Sequence, residues 1–184
     1  MKIEIEDKEF DLLIEYDQIK KRTRLLGIQL NVDYENRVPI FLGVLNGSFM
    51  FMADLVKQIN ISSEVCFVKI SSYNGGDTTS GVVKQVLGLD ISLKNRDVII
   101  VEDIVDTGIT LSFLLEQIKA QEPASITVCT LLFKPGSLQK DIEELDYVGF
   151  EIPNEFVVGY GLDYKGLGRN LTDIYRAIYV PSET

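Results

Sequence analysis

Val98-Ile-Ile-Val-Glu-Asp-Ile-Val-Asp-Thr-Gly-Ile-Thr-Leu111 is the stretch on which the fold turns. Val98 to Val101 are all apolar, the pattern of a strand buried on both faces of a parallel sheet. Glu102 and Asp103 follow directly, where such a strand is expected to surface at its carboxyl end, the edge at which open α/β sheets bind ligands. Asp106-Thr-Gly-Ile-Thr110 is small and hydroxylated, and Leu111, Leu114, Leu115 and Ile118 then mark a helix by their i, i+3, i+4, i+7 spacing. A strand, an acidic tip, a glycine turn and a helix start combine into an anion cradle. Free backbone N–H groups and the positive end of the helix dipole point at one spot, and Thr107 and Thr110 add hydroxyls. An ordinary βα turn, with Asp106 or Thr107 as N-cap and Gly108 at positive φ, accounts for the turn but not for the carboxylates clustered beside it. A receiver-like acid pair that binds a metal is a further alternative, which the third acid and the Thr-Gly-x-Thr turn fit less well.

The rest of the composition narrows the field. At 184 residues the chain suits one domain, long enough to bury roughly 70% of its unfolded surface. A hydrophobic content of 46% without low-complexity runs is that of a globular protein. No apolar run approaches the ~20 residues of a membrane span. The N-terminus, Met1-Lys-Ile-Glu-Ile-Glu6, alternates like a strand and lacks a signal-peptide core. Cys66 and Cys129 both sit in apolar, strand-like runs and read as free thiols, which suits a reducing cytoplasm. A net charge of −10 and a pI near 4.5 disfavour a general nucleic-acid surface. The one basic cluster, Lys20-Lys-Arg-Thr-Arg24, reads as a solvated helix face. There is no histidine, so acid–base work falls to carboxylates, lysine or tyrosine.

Along the chain, a helix is expected from about Asp17, as N-cap, to Leu30, with Ile19, Leu26 and Leu30 inward. Pro39 to Leu45 reads as a buried strand, Asn46-Gly47 as a turn, and Phe49 to Ile59 as a helix with Phe49, Met52, Ala53 and Val56 on one face. Glu64 to Ile70 is the partner strand. Ser72 to Gly81 is polar and glycine-rich, the texture of a lid or of a plain surface hairpin, and Val82 to Leu87 returns as a strand. Ser125 to Phe133 is another doubly buried strand, ending in Lys134. Alternating β and α segments up to that point predict an α/β fold, a Rossmann-like parallel sheet flanked by helices. The two ends of the chain are expected to supply a small hood subdomain. The single domain then divides into a core of about 37–140 and a hood of about 1–16 and 145–184. The strands deliver Leu45-Asn46-Gly47, Ser72-Tyr73, the acids with their cradle, and Lys134 to one edge of the sheet. Each group alone reads as ordinary solvation, but together they make a site.

Val-Glu-Asp-Ile-Val-Asp-Thr-Gly-x-Thr resembles the phosphoribosyl-pyrophosphate loop of type I phosphoribosyltransferases, a long and specific motif. From about Ile14 to about Tyr179 the chain resembles their hypoxanthine (hypoxanthine-guanine) branch. The resemblance implies displacement at a sugar carbon bearing pyrophosphate. A 5′-phosphate then sits on the N–H groups of Thr107, Gly108, Ile109 and Thr110, and Glu102 and Asp103 hold the ribose hydroxyls. Mg²⁺ is the implied cofactor, because pyrophosphate leaves poorly until its charge is neutralised. Position by position, Asp106 matches the acid or base beside purine N7, and Lys134 the donor to the 6-oxo group. Phe156 matches the aromatic that stacks on the base, and Val157 the backbone contact to its edge. Asp163 matches a magnesium ligand beside Glu102 and Asp103, and Arg169 a pyrophosphate contact. Ser72-Tyr73 matches the start of the lid, and the Leu45–Asn46 peptide bond one that relatives hold cis.

Ile109 replaces a residue that is polar in several relatives, and Asn46 one that is Lys or Arg in some. The expected partners are phosphoribosyl pyrophosphate and a purine base, with neither nucleic acid nor membrane, in a homo-oligomer (dimer or tetramer). A xanthine-preferring transferase is the same-class alternative. A sensor regulator of the same fold is the other, and it predicts a basic face on a chain that is strongly acidic.

Overall fold

Ile40, Leu42 and Val44 face one side of their strand while Phe41 faces the other, and Val98 and Ile100 alternate with Ile99 and Val101 in the same way. Every one of these side chains is at most 7% exposed. Such a sheet needs apolar cover on both faces, and the helices supply it. The computed structural model describes residues 1–74 and 82–178. Along the chain run β1 (Lys2–Ile5), β2 (Lys8–Ile14), α1 (Tyr16–Asp33), β3 (Ile40–Leu45), α2 (Phe49–Val56), β4 (Glu64–Asn74) and β5 (Val82–Leu87). There follow β6 (Asp97–Val105), α3 (Ile109–Lys119), β7 (Ser125–Phe133), β8 (Leu145–Glu151), β9 (Val157–Val158) and β10 (Ile174–Ala177).

The core sheet has the order β5-β4-β3-β6-β7-β8. From β4 to β8 its strands are parallel, and β5 closes one edge as the antiparallel return of a hairpin with β4. The α/β, Rossmann-like expectation holds. α3 covers one face through Leu111, Leu114, Leu115 and Ile118, the four residues that its spacing singled out. α1 and α2 cover the other, and Ile19, Leu26 and Leu30 are inward as expected. A second sheet, β1-β2-β10-β9, is wholly antiparallel and joins the two ends of the chain. Its own small core is Phe10, Val158 and Tyr175. Among the described residues no helix is long and apolar enough to cross a membrane.

Four expectations need correction. The central strand does not end at Val101 but runs on to Val105, so Glu102 and Asp103 lie inside β6, still paired along β7. α1 starts earlier than the Asp17 cap: Glu15 is the N-cap, in a reciprocal capping box with Gln18. α2 buries Phe51, Met52 and Leu55 and leaves Phe49 and Ala53 exposed. Its sequence, FMFMADLV, is apolar on nearly every side, so periodicity selected no unique face. The hood does not start near residue 145 either, because β8 pairs in parallel with β7 and belongs to the core sheet. Tyr147 packs into the α1 side of the core, and Arg22 of α1 donates to the carbonyls of Gly149 (2.6 Å) and Val148 (2.9 Å) along the outer edge of β8.

Candidate active site

The carboxyl ends of β3, β6 and β7 point to one edge and carry the site. β6 places Glu102, Asp103 and Asp106 in succession, and β7 ends at Phe133, so that Lys134 follows beside them. The Lys134 ammonium is 2.7 Å from Asp106 Oδ2. The lysine is 6% exposed while the Asp106 side chain is 43% exposed, so a buried cation is held under an acid that faces outward. A buried charge is tolerable only when it is paired in this way.

Glu102 is almost fully buried, and its Oε2 has no hydrogen-bond partner. Burial, and then the neighbouring Asp103 charge, push its carboxyl well above the usual range. Asp103 is also pushed up, to about 6, chiefly by burial. The Ile104 N–H, which donates to Oδ1 at 3.0 Å, and the Arg169 charge pull it back, while Asp163 pushes it further up. Two neighbouring buried acids of this kind are suited to a cation or to hydroxyl donors.

The turn after β6 has the expected form. Gly108 takes φ +76° and is the N-cap of α3, in place of Asp106 or Thr107. A Cβ on Gly108 would stand 2.7 Å from the Lys140 carbonyl, so the position needs glycine on both counts. Gln139 and Lys140 N–H groups donate to the Thr107 carbonyl, bracing the turn from behind. Thr107 Oγ1 accepts from the Ile109 N–H at 3.4 Å. Ile109 and Thr110 are exposed at the helix start, where the first-turn N–H groups have no intrahelical acceptor.

The β3–α2 turn comes alongside. The Leu45–Asn46 peptide bond is cis. Gly47 is buried so closely against Asp103 that an added Cβ would collide with its Oδ2. From the hood, Gly161 packs equally closely on the Gly47 carbonyl. Arg169 donates to the Gly161 carbonyl at 2.6 Å and pairs with Asp163, also at 2.6 Å. Asp163 Oδ2 accepts from the Gly166 N–H. The structure therefore brings Gly47, Asp103, Asp163 and Arg169 into one chain of contacts, and Asp106 with Lys134 into another.

Phe156 and Val157 enter differently. Val157 is buried in β9, opposite Arg176. Phe156 is 45% exposed, edge-on to Tyr164 at 5.7 Å and near Phe10, with the Lys8 ammonium 5.4 Å from its ring. Ser72 and Tyr73 lie in β4 opposite Lys84 and Val83, and the lid expected beyond them, residues 75–81, lies outside the described residues. Among the described residues no three metal-binding side chains converge, so Glu102, Asp103 and Asp163 do not form a ready-made ligand set. Sequence reasoning missed Gly161 and Tyr160, because no spacing rule relates residues 47 and 161.

A parallel sheet with an acidic strand end and a glycine turn opening a helix defines an α/β ligand-binding fold of the phosphoribosyltransferase kind. The phosphoribosyl transferase domain family matches residues 15–165, and the chain belongs to that family. The hypoxanthine-guanine phosphoribosyltransferase of Bacillus subtilis (strain 168) is 45% identical over 160 residues, covering 87% of this chain and 88% of the relative. The hypoxanthine phosphoribosyltransferase of Haemophilus influenzae is 44% identical over 171 residues, 91% of this chain and 95% of its own. A crystal structure of a hypoxanthine phosphoribosyltransferase from Staphylococcus aureus has a TM-score of 0.83 at 41% identity, covering 91% of each chain.

Proposed function

We propose that the protein transfers the 5-phosphoribosyl group of phosphoribosyl pyrophosphate to a 6-oxopurine, hypoxanthine and also guanine, in purine salvage, giving IMP or GMP and pyrophosphate. The observation that carries this reading is the buried Lys134 ammonium held beside Asp106 at the mouth of the anion cradle. A lysine has donors only, so it selects an oxo acceptor over an amino group at the purine 6-position. Asp106, 2.7 Å away, then stands to exchange the N7 proton as the N9–C1′ bond forms.

The remaining roles are those that the family resemblance implies, and they belong to the same proposal. The N–H groups of Thr107 to Thr110 take the 5′-phosphate, to which the helix dipole adds roughly 0.3–2 kcal/mol. Glu102 and Asp103 accept from the two ribose hydroxyls and hold the ring while positive charge develops at C1′. Gly47, with no Cβ, lets its turn pack directly against Asp103, and that turn, next to the Gly161 carbonyl held by Arg169, is the pyrophosphate contact in this reading. Phe156 offers an exposed ring to the base and Val157 its backbone.

An all-oxygen donor set, with the unpartnered Glu102 Oε2 and a raised Asp103, fits a hard cation. Since the three carboxylates do not converge, Glu102, Asp103 and Asp163 would be available to hold an Mg²⁺ together with substrate oxygens and water, and the ion would supply neutralisation of the pyrophosphate charge. The test is to incubate the protein with phosphoribosyl pyrophosphate, Mg²⁺ and hypoxanthine and to measure IMP and pyrophosphate. Equimolar appearance of the two is expected, and no nucleotide at any enzyme concentration overturns the reading.

A further inference from the structure

Tyr160 is fully buried and takes φ +49°, a left-handed conformation rare for a bulky residue. Gly159 and Gly161 on either side are also at positive φ, so the chain makes a tight reversal around it. Backbone groups hold that reversal: the Tyr160 N–H donates to the Leu171 carbonyl at 2.8 Å and the Gly161 N–H to the Arg169 carbonyl at 3.0 Å. A backbone conformation of this kind persists where the surroundings fix it. Here the Tyr160 hydroxyl crosses to the core and donates to Asp54 Oδ2 at 2.7 Å.

Asp54 stands on α2, the helix that opens at Ser48, directly after Asn46-Gly47. Its side chain is 19% exposed, and Lys57 pairs with the other carboxylate oxygen at 2.5 Å. A fixed, charge-assisted acceptor therefore meets a fixed phenol, and the hood loop is pinned at two places, on α2 and on the turn that precedes it. One is the Tyr160–Asp54 hydrogen bond, and the other is the packing of Gly161 on the Gly47 carbonyl. Gly47 in turn lies against Asp103, and Arg169 holds the Gly161 carbonyl. Lys134 and Asp106, on the β6–β7 side, lie outside this series of contacts.

We propose that Tyr160 and Asp54 are positioning residues for the pyrophosphate half of the site, setting the Gly47 turn and the Asp163–Arg169 loop at their working separation, while the Lys134–Asp106 pair that faces the base is supported independently. The inference rests on the reading that the Gly47 turn receives pyrophosphate. A built-in control comes from Tyr16, whose hydroxyl also donates to Asp54 Oδ2, at 3.4 Å, but from the start of α1 and not from the hood. The two bonds differ in length, 2.7 Å against 3.4 Å, so stability is compared alongside: a merely structural role lowers stability without separating the two KM values, and a positioning role separates them.

The experiment compares Tyr160→Phe, Tyr16→Phe and the wild type for KM of phosphoribosyl pyrophosphate, KM of hypoxanthine and kcat. Calorimetric binding of phosphoribosyl pyrophosphate with Mg²⁺ and thermal unfolding are measured alongside. Tyr160→Phe is expected to raise KM and Kd for phosphoribosyl pyrophosphate by roughly tenfold, with the hypoxanthine KM unchanged, and Tyr16→Phe to leave both KM values as in the wild type. If Tyr160→Phe does not fold, Asp54→Ala takes its place with the same expected split, and Asp54→Asn, which keeps an acceptor oxygen, restores part of it. Equal losses for both substrates, or the same shift from Tyr16→Phe, overturn the proposal. A wild type that does not bind phosphoribosyl pyrophosphate overturns the functional reading instead, so the two failures are distinct.

Discussion

Asp106 and Lys134 differ in charge and exposure, and single substitutions separate the two roles proposed for them. Asp106→Asn keeps the size of the side chain but removes the titrating carboxyl. It is expected to lower kcat by roughly 10²–10⁴, with little change in phosphoribosyl-pyrophosphate affinity, as steady-state kinetics and calorimetry would record. A near-wild-type kcat would reduce Asp106 to a counter-charge for Lys134. Lys134→Ala removes the one side-chain donor to Asp106 among the described residues and opens a buried space where the side chain lay. The hypoxanthine KM is expected to rise far more than that of phosphoribosyl pyrophosphate, and equal rises would remove Lys134 from base recognition. Both residues were legible in the sequence, one in the loop motif and one at the end of an apolar run. Their 2.7 Å pairing was not, because it depends on β6 and β7 being neighbours in register.

At the scale of elements, legibility followed how unambiguous the pattern was. β7 has the boundaries that its apolar run predicts, and α3 buries the four residues that its spacing names. α2 defeats the same method because hydrophobic residues surround it. β10 went unread because Ile174-Tyr-Arg-Ala177 is too short and mixed to stand out, although it is the strand that joins β2 to β9. The β3–α2 turn was read correctly as a turn but not as a packing junction. Its prediction follows from that junction: Gly47→Ala drives a methyl group into Asp103. Overpacking of this kind costs about 1–3 kcal/mol in unfolding measurements. Binding of phosphoribosyl pyrophosphate is expected to weaken more than binding of the nucleotide product. Equal weakening of the two would mean that the turn serves stability alone.

The whole molecule combines a parallel core, legible from alternating β and α segments, with a hood made from both chain ends, whose pairing no local pattern encodes. β2 lies between β1 and β10, so Arg176 reaches Asp11 at 2.9 Å and the loop from Gly159 to Arg169 is set over the core edge. Because the site is shared between the two parts, a ligand that engages both should stabilise the fold as a unit. Phosphoribosyl pyrophosphate with Mg²⁺, at 100 times its Kd, is expected to add about 2.7 kcal/mol to the unfolding free energy, read as a rise in Tm. Removal of the metal with a chelator should abolish most of that rise. An undiminished rise in chelator would show that Mg²⁺ has no part in binding.

The central claim is that a buried lysine selects a 6-oxopurine for phosphoribosyl transfer, and base discrimination tests it most directly. The measurement is kcat/KM for hypoxanthine and for adenine, with phosphoribosyl pyrophosphate and Mg²⁺ saturating and nucleotide formation followed in both cases. Sites built around such a hydrogen bond reject the wrong partner by roughly 10⁴–10⁵, so IMP is expected at rates that AMP formation does not approach. Comparable rates of AMP and IMP formation would contradict the account.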